Sequence, residues 1–419
     1  MTDRAAETAA ERIDEARLWQ RHMEMAQCGA TPSGGVNRQA LSAEDAEARR
    51  LIVGWAVERN YAVATDDIGN LFIRRPGQDA DAAPVIGGSH LDSQPKGGKF
   101  DGAFGVLAAF ETLEALDEAG VQTRRPVEVV SWLNEEGSRF QPGTMGASIH
   151  AGSLSLEDVL PHVDSNGMTI ADALKTYLSS TPDLPRRPFG FPIAAYVEPH
   201  IEQGPVLEQA GEAVAVVDGV QGLRWFSIEI LGEAAHAGTT PRALRHDALR
   251  AANLMLARLY EAAEDAEDLL RFTVGRFEVL PGSPNTVPDR VYFTIDLRHP
   301  QAEAIEWMTG EIEAAAQSVF GGCRATVSRL ADSPPTLFDP EVVFTLERWR
   351  DRLGLAGRRM TSGAGHDAMH IARVAPTGMI FVPCEKGISH HESENADPAD
   401  LAAGARLLAA TLVDLANRS

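Results

Sequence analysis

The chain has 419 residues, of which 44% are hydrophobic and 23% charged, a make-up that excludes disordered and fibrous chains and is too long for one ordinary core. A formal net charge of −22 argues against nucleic acid and anionic membrane as partners. No apolar run nears the roughly 20 residues that span a bilayer, the start "MTDRAAETAAERIDEARLWQ" lacks a signal-peptide core, and three distant cysteines (Cys28, Cys323, Cys384) make no disulfide framework, so a cytoplasmic protein is expected.

In chain order, residues 4–26 read as one helix and residues 43–59 as a second. "YAVATDDIGNLFIRRPG" reads as a strand pair turning at "DDIGN". Four short apolar runs follow along the chain, "APVIGG", "VEVVSWLN", "IAAYVEP" and "TGMIFVP", each ending in a loop. Helical patterns separate some of them; from Phe104, apolar residues recur at Leu107, Phe110, Leu113 and Leu116. Such Val- and Ile-rich strands, alternating with helices, predict an α/β domain with a largely parallel sheet.

The texture changes near Gly222. "RWFSIEILGEA", "RFTVGRFEVLPGS" and "RVYFTIDLRHP" are longer and alternate, and helices are predicted over 243–263 and 303–319. "ADSPPTLFDP", residues 331–340, reads as a return linker. The expected organisation is a catalytic domain over 1–221 and 332–419, interrupted by an α+β domain over 222–331.

Metal-binding residue types fall at the ends of the four runs. His90 follows "PVIGG", Glu135 and Glu136 follow "VEVVSWLN", His200 follows "AAYVEP", and His390 and His391 follow "MIFVPCEKGIS". Asp101 opens the helix after the first run. Sites in open α/β sheets lie outside the carboxyl ends of the strands, where these residues can converge. Neutral imidazole with carboxylate suits zinc or another divalent first-row ion, and two His with one acid leave a position open for water. In "NEEG" two adjacent carboxylates repel, which gives a purely structural role little support. Beside a metal, one can be a ligand and the other a general base.

Taken together, "SHLDSQPKGGKFDGAFGV", "NEEGSRF", "EPHIEQGPVLE", "GEAAHAGTTP", "PGSPNTVP", "DLRHP", "GAGHDAMHIA" and "GISHHESE" resemble the M20 metallopeptidase-like amidohydrolases. The similarity is greatest to their carbamoylase branch: N-carbamoyl-L-amino-acid hydrolases, allantoate amidohydrolases and zinc-dependent β-ureidopropionases. It spans about residues 26–415. The resemblance implies an α/β fold class, a zinc-exopeptidase-like, largely parallel mixed-sheet catalytic domain with an inserted α+β dimerisation and lid domain.

It implies two divalent ions per chain, with zinc, manganese, cobalt and nickel all suited to the ligands. Asp101 would bridge both ions, His90 and His200 would serve one, and Glu136 and His390 the other. Relatives have a small or amide residue and then Pro after the last ligand, where this chain has "SHHESE"; His390 is chosen because it follows "GIS", with His391 the alternative. Glu135 would be the general base. Asp92 would hydrogen-bond the His90 imidazole. His236, from the inserted domain, would polarise the substrate carbonyl, within the chain or across a homodimer. Asn285 and Arg298 would bind the substrate's amide and carboxylate, and Gln203 and His366 would line the pocket. For Arg298 the competing reading is a strand arginine paired with Asp296 or Glu229.

The implied substrate is a small ureido (N-carbamoyl) or acyl carboxylate. The expected reaction is hydrolysis of the ureido C–N bond to amino acid, ammonia and carbon dioxide. The rivals are an N-acyl-amino-acid deacylase or dipeptidase of the same family, and a non-catalytic scaffold that kept the fold.

Overall fold

A computed structural model describes residues 2–418. The chain divides into two compact units, one running to Gly219 and resuming at Leu337, the other formed by Val220–Thr336.

In the first unit, Val85–His90, Ala195–Ile201 and Thr377–Val382 are buried at every residue, and Val127–Trp132 at all but one. Strands of this kind need cover on both faces, and parallel pairing provides it. Val127–Trp132, Val85–His90, Ala195–Ile201 and Thr377–Val382 are successive neighbours and mutually parallel. Antiparallel strands extend the sheet: Leu71–Arg75 and then Ala62–Thr65 on one side, Val214–Val220 on the other. Helices Ala103–Glu118 and Pro398–Ala416, buried over most of their length, pack on the strand ending in His90.

The expected helix over 4–26 is two helices, Thr2–Glu11 and Glu15–Met25. Asp14 divides them: its carboxylate accepts the Arg17 N–H and caps the second, as a short acidic side chain favours. Arg17 and Arg21 then pin that helix to Glu111 and Glu114 of the buried helix.

The second unit is an antiparallel sheet in the order Arg324–Ser333, Gly222–Leu231, Arg290–His299 and Arg271–Leu280. Its core joins Phe226, Ile228, Phe293 and Ile295 to Ala252, Leu259, Met308 and Ile312 of helices Ala248–Ala262 and Ala302–Gln317. Two expectations need correction. The strand Arg324–Ser333 was not foreseen; it is rich in polar residues, and its last residues, expected as linker, pair with Trp225 and Leu223. The helix expected from residue 243 starts at Ala248, because Asp247 caps it and a short turn, Arg242–Leu244, precedes it. Among the described residues no helix is long and apolar enough to cross a membrane.

Candidate metal centre

The site is built where the four parallel strands end. His90 closes its strand and His200 is the penultimate residue of the neighbouring one. Their rings lie 5.8 Å apart. Asp101 sits just before helix Ala103–Glu118 and presents one oxygen to each side. Its Oδ1 is 3.5 Å from His90 Nε2 and 3.1 Å from His200 Nε2. Its Oδ2 is 3.4 Å from His390 Nε2, which is also 3.4 Å from Glu136 Oε2. Two groups able to hold a metal ion result, His90–Asp101–His200 and Asp101–Glu136–His390, sharing Asp101. Gly102 must be glycine: its φ is 63°, and a Cβ there would lie 2.3 Å from the His90 ring.

The donor chemistry fits divalent cations. His90 Nδ1 bonds the Asp92 carbonyl at 3.0 Å and His200 Nδ1 bonds the Ile201 carbonyl at 2.9 Å. Each Nδ1 must therefore be the donor, and a neutral ring then turns its Nε2 lone pair toward Asp101 Oδ1. Lone pairs facing a buried carboxylate call for positive charge between them. Burial, joined by Asp101, pushes Glu136 up to about 7, so the site also disfavours its own excess of carboxylates. The hydrogen bond to Asp101 lifts His390 to about 9. Binding a cation here releases such protons.

Glu135 stands beside this set without joining either group. Its Oε2 lies 3.5 Å from His90 Nε2, and burial, only partly opposed by His90, drives its carboxyl well above the usual range. Asp92 departs from its expected part. Its carboxylate is 3.7 Å from His90 Nδ1, and it accepts the main-chain N–H groups of Glu135 at 3.1 Å and Glu136 at 3.2 Å. Asn134, at φ 55°, turns both amides toward it. The imidazole is held by the Asp92 carbonyl, and the Asp92 side chain orients the two glutamates.

His390, not His391, faces the acids; His391 Nδ1 bonds Ser393 Oγ at 2.8 Å. Gln203 Nε2 donates to Asp101 Oδ2 at 2.9 Å. His366 is buried, bonds Ser362 Oγ at 3.0 Å and packs 4.6 Å from the His200 ring. Sequence reasoning missed Gln94, whose Nε2 donates to Glu136 Oε2 at 2.7 Å, and Ser389, whose hydroxyl donates to Asp101 Oδ2 at 2.6 Å. Polar loop residues are common, and only their adjacency to the ligands marks these two.

In the second unit His236 and Asn285 come together on a two-stranded ribbon, where Ala237 N–H meets the Asn285 carbonyl at 2.9 Å. His236 Nδ1 accepts N–H groups from Gly238 at 3.0 Å and Thr239 at 3.2 Å. The proton of the neutral ring therefore resides on Nε2, which is a donor. Arg298 grips Asp296 with Nε and Nη2, each at 2.9 Å, the strand pairing that was the competing reading for it.

A largely parallel α/β sheet with two ligand groups sharing one carboxylate at its strand ends defines a metal-dependent hydrolase. The chain belongs to peptidase family M20/M25/M40, whose profile it matches over residues 86–414. It is 40% identical over 409 residues to the N-carbamoyl-L-amino acid amidohydrolase of Geobacillus stearothermophilus, covering 96% of this chain and 99% of that one. It is 35% identical over 406 residues to the allantoate amidohydrolase of Escherichia coli, covering 96% and 97%. A crystal structure of a hydantoinase/carbamoylase family amidase from Burkholderia multivorans superposes with a TM-score of 0.91 at 42% identity, covering 97% and 98%.

Proposed function

We propose that this protein hydrolyses the ureido C–N bond of an N-carbamoyl-amino acid or a related ureido acid such as allantoate, using two divalent ions per chain and working as a homodimer. The carrying observation is the pair of ligand groups sharing Asp101, with Glu135 beside them but outside both. Divalent ions held there supply Lewis acidity for a carbonyl oxygen and acidify water at neutral pH. The names of the relatives supply the substrate class.

The chain's own residues carry the remaining steps. Glu135 takes the proton of the attacking water as the water's oxygen joins the carbonyl carbon. It returns that proton to the nitrogen as the C–N bond breaks. Asp92 holds the Glu135 and Glu136 amides and so fixes base and ligand together. His236, with its proton on Nε2, donates to the carbonyl oxygen as negative charge grows there. Asn285 and Arg298 hold the substrate's amide and carboxylate, and Gln203 orients Asp101 and the substrate beside it. For Arg298 this role means sharing its fork with Asp296.

The test is a substrate panel. Metal-loaded protein is incubated with N-carbamoyl-amino acids, allantoate, 3-ureidopropionate and N-acetyl-amino acids, and ammonia and free amine are measured. Ammonia from a ureido acid is the expected result. Release of amine from the N-acetyl compounds alone would replace this reading with an acyl-amino-acid deacylase.

A further inference from the structure

The segment that delivers His390 also carries a buried carboxylate with no part in the two ligand groups. Glu394 Oε1 accepts the main-chain N–H of Phe100 at 2.8 Å and of Asp101 at 3.1 Å. Its Oε2 lies 3.3 Å from Ser389 Oγ, the hydroxyl that donates to Asp101 Oδ2. One side chain thus holds Asp101 by its backbone and, through Ser389, by the oxygen that faces His390 and Glu136. The opposing loop is shaped to admit it. A Cβ at Gly98 would lie 1.9 Å from Glu394 Cδ, so the carboxylate occupies the space a side chain there would need. Asp101 itself lies in a glycine-rich loop, ahead of a helix whose N-cap, Gly102, offers no side-chain hydrogen bond.

We propose that Glu394 is a positioning residue for the metal pair: it sets the Asp101 main chain so that the bridging carboxylate offers one oxygen to each ligand group. Removing it leaves two buried N–H groups without an acceptor, and the loop must shift to satisfy them. The Ser389 link acts on Oδ2, so the ion of the Asp101–Glu136–His390 group depends on Glu394 more than its neighbour does. The inference rests on the metal-centre reading above.

The test is calorimetric titration of chelator-stripped protein with Mn²⁺, alongside the melting temperature of the stripped protein. Glu394→Ala is expected to bind the ion of the Asp101–Glu136–His390 group about 10–100-fold less tightly, the range typical of losing a residue that orients ligands. Glu394→Gln keeps an oxygen for both amides and should recover most of that affinity. Gly98→Ala, which touches no ligand, should reproduce the loss by displacing the Glu394 carboxylate. A merely structural role would lower the melting temperature while leaving the two affinities, and the gap between them, unchanged. Should Glu394→Ala not fold, the other two variants decide, and wild-type affinity in Gly98→Ala overturns the proposal. Two ions bound by the wild type with no change in any folded variant overturns it alone; no binding by the wild type overturns the metal-centre reading as well.

Discussion

Replacing Glu135 by Gln separates catalysis from metal binding. The two side chains have the same shape, and the main chain at this position is fixed independently of the carboxylate. Its N–H is held by Asp92 Oδ1 at 3.1 Å, and its carbonyl accepts the Thr144 N–H at 2.7 Å. Glu135 belongs to neither ligand group, so both ions should stay. The amide cannot take a proton from water. Loss of a general base costs about 10²–10⁴-fold in kcat, or about 2.7–5.4 kcal/mol of barrier at 1.36 kcal/mol per decade. Folding should not suffer. Burial, only partly opposed by His90, already favours the neutral form of Glu135, so a neutral amide suits the same surroundings. The assay is ammonia release under substrate saturation, with elemental analysis of the same sample. A variant that keeps two ions and turns over within tenfold of wild type would refute the assignment of Glu135.

Arg298→Ala should lower kcat/KM for a carboxylate substrate by about 10- to 150-fold, as for loss of a charge-assisted hydrogen bond of about 1.5–3 kcal/mol. It should also nearly erase the preference over the neutral amide analogue; equal discrimination by both proteins would leave Arg298 with a structural role such as its pairing with Asp296. Mixing inactive His236→Ala with inactive Glu135→Gln under subunit exchange should restore activity, since one site of a mixed dimer regains both groups; no recovery despite proven exchange places His236 within its own chain. His22 is buried against Phe100 and Phe104, and burial pushes it from 6.5 down to about 3. A base depressed in the folded state favours folding fully above its unfolded value. That stability is lost as pH falls from about 6.5 towards 3, by up to about 1.4 kcal/mol per pH unit. Urea unfolding of wild type and His22→Leu at pH 7 and pH 5 should show the smaller loss in the variant.

His90, Glu136, His200 and His390 were legible as candidate ligands because each follows a Val- or Ile-rich run, and parallel pairing of those runs gathers them, with Asp101 from the start of a helix, at one edge of the sheet. His390 and His391 could not be separated from residue type alone. His390 takes a left-handed φ of 54°, which points its ring at Asp101 and Glu136. The direction of the Asp92 carboxylate was hidden for a similar reason, since it depends on the turn at Asn134. Arg298 illustrates a different limit: a guanidinium two residues from an aspartate on the same strand face can serve either partner. Glu394 stayed hidden because the N–H groups that donate to it lie 293 and 294 positions away, a distance at which spacing carries no signal. Arg324–Ser333 was missed because a strand with one exposed face and few apolar residues does not mark itself.

The most direct measurement is metal-dependent turnover of a ureido acid. Protein stripped by chelator is reloaded stepwise with Mn²⁺ or Zn²⁺, and ammonia release from an N-carbamoyl-L-amino acid is followed against the ions bound. The account predicts negligible activity in the stripped protein and full activity as occupancy approaches two ions per chain. Ammonia release that is unaffected by stripping, or absent across the ureido acids at full occupancy, would contradict it.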